Sequence, residues 1–141
     1  MIEIALPRRR LLVATAVLAL GACKPQNRCK TCGMVLDDSS RFRADLREGA
    51  SVMRFDTPKC AFQALRSGGS TGILHAKGYY TQVERPEPEL RFAAGSDVLG
   101  PMGIDLVPVE REHAKRFEQE HGAKRLYEAA EVTLAVLRDL S

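Results

Sequence analysis

Three sulfur-bearing side chains fall within six residues at Cys29-Lys30-Thr31-Cys32-Gly33-Met34. Gly33, with no Cβ to clash, lets the backbone turn tightly there. Two thiolates and a thioether are a soft donor set, and soft sulfur selects Cu(I), with Zn(II) competing for the thiolates only. Other uses of a C-x-x-C pair lack their usual companions. A zinc ribbon needs a second Cys pair or a Cys/His pair about 15 residues on, and none follows. A c-type haem site needs histidine where Gly33 stands. A thioredoxin-like pair sits between a strand and a helix, whereas Met34 to Ser40 reads as a short strand running into a turn. A structural disulfide between Cys29 and Cys32 stays open.

The elements that must position this turn follow it in the chain. Phe42, Ala44 and Leu46 alternate with Arg41, Arg43, Asp45 and Arg47, the period of a half-buried strand. Glu48-Gly49-Ala50 turns the chain, and Val52-Met53-Arg54-Phe55 returns as the hairpin partner. Thr57 then reads as a helix N-cap with Pro58 at the first helical position. That helix runs to about Arg66, carries Ala61, Ala64 and Leu65 on one face, and ends at Gly68-Gly69. Cys60 lies in its first turn, where exposed N–H groups and the macrodipole are expected to lower a thiol pKa. It is either a third thiolate or a small buried apolar residue.

Downstream, Gly72 to Val83 is strand-rich, with Gly78 to Val83 its best β segment. Glu84 to Glu89 reads as an exposed loop, because Pro86 and Pro88 remove ladder donors. Strands are expected at Leu90 to Ala94 and Ile104 to Val107, on either side of a loop holding Gly100-Pro101-Met102-Gly103. A helix from Glu110 to His121 closes at Gly122, and a strand at Lys124 to Tyr127 leads into a last helix ending near Leu140. Ala61 with Ala114 and Gly69 with Gly122 repeat at an offset of 53 positions, which suggests two similar halves sharing one core.

The N-terminus reads as an export signal. Arg8-Arg9-Arg10 precedes an apolar run, Leu11 to Leu20, too short to span a bilayer. The arginines also loosely match a twin-arginine signal. Leu20-Gly21-Ala22-Cys23 resembles the bacterial lipobox, so residues 1–22 are expected to leave, Cys23 to carry lipid, and residues 23–28 to form a tether. Two or more acyl chains anchor stably. Cleavage removes Glu3 and three arginines from totals of 18 acidic and 21 basic side chains, leaving a net charge of +1. That balance disfavours nucleic acid, which calls for a basic surplus. It also leaves Cys29, Cys32 and Cys60, an odd number that an oxidising compartment cannot fully pair within one chain.

Four features in this order resemble the NosL family of copper-binding lipoproteins: the lipobox, the Cys29-x-x-Cys32-Gly33-Met34 turn, the Gly100-Pro101-Met102-Gly103 loop, and the Ala114-x-x-Phe117-x-x-x-His121-Gly122 helix end. The resemblance implies an α+β fold of two ββαβ-like units over residues 29–141. It also implies Cu(I) binding and delivery of copper to apo nitrous oxide reductase and its maturation machinery, from a lipid anchor facing the periplasm or cell exterior. The family pattern maps onto Cys32 and Met34, onto Cys29, and onto Met102. The chain departs from it at Gly122-Ala123, where many members have a glycine pair, and in lacking tryptophan before Arg91.

The expected mechanism is carriage. Cys29 and Cys32 bind Cu(I) as thiolates, favoured by Arg28 and Lys30, with Met34 completing the site and Met102 and Cys60 as further candidates. His113 and His121 share one side of a helix and are weaker candidates, His121 being accounted for by the helix dipole; His75 has no evident partner. No carboxylate dyad, Ser/His/Asp set or phosphate loop is present, so an enzyme is not expected. The rival readings are a membrane-anchored thiol-disulfide protein using Cys29 and Cys32, and a structural lipoprotein with one disulfide.

Overall fold

A computed structural model describes residues 27–140 of the chain; the expected signal segment and Cys23 lie outside them. The first hairpin forms where the alternation places it. Strand β1 (Ala44–Glu48) pairs antiparallel with β2 (Ser51–Phe55), Ala44 opposite Phe55 and Leu46 opposite Met53. Gly49, at φ +57, supplies the left-handed residue of the two-residue loop. Helix α1 (Pro58–Arg66) starts as expected, the Thr57 side chain accepting from the Cys60 N–H and Pro58 at the first turn. The left-handed residue just beyond it is Gly68, at φ +76.

Strand β3 (Ile73–Lys77) then pairs with the other edge of β1. A second unit repeats this plan: β5 (Leu90–Ala94) is flanked by β6 (Val107–Glu110) and β7 (Arg125–Tyr127), with helix α2 (Ala114–His121) between them in sequence. The strand orders β2-β1-β3 and β6-β5-β7 are the same, so the fold is α+β with two ββαβ units. Gly122, at φ +66, terminates α2. A short helix α3 (Leu134–Asp139) closes the chain, preceded by one 3-10 turn.

The two units share a core. Leu90, Phe92 and Ala94 of β5 pack in one cluster with Ala44, Leu46, Phe55, Ala61 and Leu74 of the first unit, and Phe62 meets Phe92 edge to face at 4.8 Å. Ala93, Val107 and Val109 face the other way, onto Phe117 of α2. The second sheet is thus buried on both faces, while the first keeps Arg43, Arg47 and Arg54 on a solvent face around Asp45.

Three local expectations are overturned. Gly78 to Val83 is a turn, and the strand of that region is β3, because the loop wraps a buried carboxylate. Glu110 accepts from the Thr81 N–H at 2.8 Å, the Thr81 hydroxyl at 2.6 Å and the Tyr80 N–H at 3.3 Å. A Cβ on Gly78 would lie 2.3 Å from that carboxyl group. Satisfying a buried charge outweighs the β-propensity of two tyrosines. Glu84 to Glu89 is not all loop: Glu84–Pro86 forms an edge strand, β4, against β3, where the missing Pro86 donor faces no neighbour. Strand β6 begins at Val107 and not at Ile104, and tolerates Pro108 because it too is an edge.

Burial alone would raise the Glu110 pKa, but the bonds from Thr81 and Tyr80 outweigh it and hold the carboxyl below its ordinary value. A lowered folded pKa stabilises above the unfolded value of about 4.3 and loses that contribution as pH falls through the folded one. Glu110→Gln should therefore flatten the acid limb of a plot of Tm against pH. Glu110→Ala, which strands three donors, should cost about 3 kcal/mol in urea unfolding.

Candidate metal centre

The cysteine turn is a small hairpin of its own. Arg28 bridges Val35, the Cys29 N–H donates to the Met34 carbonyl at 2.8 Å, and the Gly33 N–H donates to the Cys29 carbonyl at 3.0 Å. Gly33 sits at φ +75, as the tight turn requires. The Arg28 guanidinium donates to the Gly33 carbonyl at 2.7 Å. Two bonds then seat the turn on the first unit: Lys30 N–H to the Arg54 carbonyl of β2 at 3.4 Å, and the Thr31 hydroxyl to the Cys60 carbonyl of α1 at 2.8 Å.

This docking brings three thiols together. The Sγ atoms of Cys29, Cys32 and Cys60 all lie within 4.8 Å of one another, and none is in a disulfide. Cys29 and Cys60 are buried and Cys32 is half-buried. Cys60 thus stands beside the C-x-x-C pair. Its pKa is not lowered as the helix N-terminus suggests: burial pushes the thiol up, and the neighbouring Cys29 adds to the rise. Cys32 is also raised, by burial and by Cys29. At Cys29 burial is outweighed by the backbone N–H groups of Cys32, Asp56 and Thr31, which hold its pKa below the ordinary thiol value.

Met102 reaches the same place from the second unit. Gly100 and Gly103 exchange backbone hydrogen bonds at 2.7 and 3.0 Å across Pro101-Met102. The resulting tip, with Met102 57% exposed, lines a cavity of about 210 Å³ with Cys32, Cys60, Thr31, Lys59 and Asp105. Asp105, missed in the sequence because it sits inside an apolar stretch, holds the loop there. Its buried carboxylate accepts from the Lys59 N–H of α1 at 3.2 Å and the Leu106 N–H at 2.7 Å. Gly100 presses against it, where a Cβ would come within 3.0 Å of the Asp105 Cβ. The only hint in the sequence is an aspartate flanked by Ile104 and Leu106.

Met34 follows the turn with its side chain 40% exposed and does not line that cavity. The histidines lie elsewhere. His121 meets Asp97 at 2.8 Å and packs on Tyr79 and Phe117, while His113 packs on Tyr80. His75 lies in β3 opposite Asp45 and Pro86. Among the described residues the only cluster of His, Cys, Asp and Glu side chains suited to a metal ion is the thiol trio.

A family model described as NosL matches residues 21–137. The chain belongs to the NosL family. Among solved structures, the crystal structure of the copper chaperone NosL from Shewanella denitrificans is similar to it, with a TM-score of 0.63 and 20% identity. That similarity covers 77% of this chain and 90% of the Shewanella one, so the fold is shared over most of each. No curated protein gives a significant match.

The three thiols of this NosL chain should titrate unequally. Thiolate absorbance in the reduced protein should show one step below the ordinary thiol value and the others above it, and Cys29→Ser should remove the early step.

Proposed function

We propose that this protein is a Cu(I) carrier whose thiols hold the metal directly. The observation that carries the reading is the convergence of the three free Sγ atoms of Cys29, Cys32 and Cys60 within 4.8 Å. Such a donor set suits a soft monovalent ion that accepts two or three sulfur ligands. Met102, on the rim of the adjoining cavity, supplies a thioether, and Met34 supplies a second at the end of the turn. Membership of the NosL family supports copper as the cargo, as does likeness to a protein described as a copper chaperone.

In this reading the chain works outside the cytoplasm of a bacterium, held to the membrane through lipid on Cys23. It passes copper to apo nitrous oxide reductase or to the machinery that matures it. Transfer proceeds by exchange of ligands: an acceptor thiolate or thioether enters as one of the chain's own sulfurs leaves. Copper stays Cu(I) throughout; each entering thiol gives up its proton as it binds, and a thiolate that copper leaves can take one up.

Anaerobic titration of the reduced protein against a chromophoric Cu(I) chelator should show competition at one equivalent. Diamide oxidation, which consumes thiolates, should abolish it. Absence of competition from fully reduced protein overturns the copper reading.

The methionines separate copper from zinc. Leucine nearly matches methionine in volume, so Met34→Leu and Met102→Leu should each cost the fold less than about 1.5 kcal/mol. Each should lower Cu(I) affinity roughly tenfold, about 1.4 kcal/mol, and leave Zn(II) binding unchanged, since zinc makes little use of thioethers. A variant with unaltered Cu(I) affinity assigns that methionine to packing.

A further inference from the structure

A second cleft borders the cysteine turn and shares no lining residue with the cavity that Met102 lines. It has a volume of about 650 Å³, carries Cys29 in its wall, and is flanked by Arg28, Lys30 and Arg54 with Val52 between the charges. Among the described residues no carboxylate lines it. This is a local asymmetry and not a property of the whole surface. Setting aside residues 1–26 takes Glu3 from the acids and Arg8, Arg9, Arg10 and Lys24 from the bases, so residues 27–140 carry 17 of each. Lys30 and Arg54 are both exposed, and among the described residues neither enters an ion pair. A backbone bond from the Lys30 N–H to the Arg54 carbonyl ties the turn to β2 and sets the two residues side by side. Exposed apolar side chains, Val52 at 47%, Val35 at 53% and Met34 at 40%, adjoin them.

We propose that this cleft is the docking face for the copper acceptor, and that the acceptor is a protein whose metal-receiving site is rimmed by carboxylates. The proposal rests on the copper-carrier reading and adds the chemistry of the partner to it. Three cations in a concave wall beside one thiol concentrate field at the point of transfer, which steers an acidic partner and repels a basic one. The apolar residues between them give the encounter a desolvated centre. Approach through this cleft meets Cys29, whereas Met102 lines the other cavity, beside Cys32 and Cys60.

The test uses reduced, Cu(I)-loaded protein and two synthetic acceptor peptides. Both share a Cys-Gly-Gly-Cys core and a fluorophore quenched by copper; one carries four flanking glutamates, the other four flanking lysines. At low ionic strength, transfer to the glutamate peptide should be at least tenfold faster than to the lysine peptide, and the difference should collapse in 0.5 M salt. Arg54→Gln should narrow the ratio, and Arg54→Glu should bring it near unity or reverse it. Cu(I) affinity is measured for each variant by chelator competition, so that loss of metal is separated from loss of docking. A protein that takes no Cu(I) overturns the carrier reading itself. Intact Cu(I) binding with equal transfer rates to both peptides overturns the docking proposal alone. If the rates are equal and Arg54→Glu instead weakens binding to phosphatidylserine vesicles over phosphatidylcholine ones, the face belongs to a membrane surface and the proposal is wrong.

Discussion

One hydrogen bond from the Thr31 hydroxyl to the Cys60 carbonyl, 2.8 Å long and spanning 29 positions of sequence, ties the cysteine turn to the first turn of α1. Without it the turn keeps its internal bonds and the longer Lys30 N–H bond to the Arg54 carbonyl of β2, but loses its direct hydrogen bond to the helix that carries Cys60. The remainder of the site extends this contact. Thr57 fixes where α1 begins and therefore where Cys60 points, and Asp105 accepts from the preceding N–H of the same helix, that of Lys59, and brings the Met102 loop with it. A helix N-terminus is an economical place for this, since its unpaired N–H groups need acceptors in any case. Here a threonine and an aspartate supply them, each from a different part of the chain.

The duplicated architecture explains where the extra donor comes from. In the first unit two residues join the hairpin strands; in the second the corresponding connection runs from residue 95 to residue 106. The shared core sets β5 against α1, through Phe62 and Phe92, so the longer connection emerges beside the thiols. An insertion at that point is tolerated because it leaves the β5 and β6 register untouched. The two halves thus divide the donors: one carries the three thiols, and the other carries the Met102 thioether on a loop that Asp105 ties to α1.

Much of this was legible in the residues. Period-two alternation located β1 and β2, Thr57-Pro58 located α1, and Gly122 located the end of α2, because each is a local rule that the tertiary structure does not oppose. The clustered sulfurs of the turn were equally plain, and so was the family resemblance that the match over residues 21–137 bears out. What escaped was set by contacts distant in sequence. Gly78 to Val83 has the composition of a strand and is bent around Glu110. Pro86 and Pro108 weaken their segments as strands, yet both lie on sheet edges. Asp105 looks like an interruption in an apolar strand until its bond to Lys59 is seen. Cys60 was the subtlest case: its helix position argued for an acidic thiol, whereas burial among two other thiols makes it the reverse.

If the three thiols from two separate segments act as one metal-binding unit, copper-edge X-ray absorption on reduced protein loaded with one equivalent of Cu(I) should show a coordination shell made of sulfur, with fewer sulfur neighbours in Cys60→Ser than in the parent protein. A shell dominated by nitrogen or oxygen, or a spectrum indifferent to the loss of Cys60, would contradict the three-thiol unit.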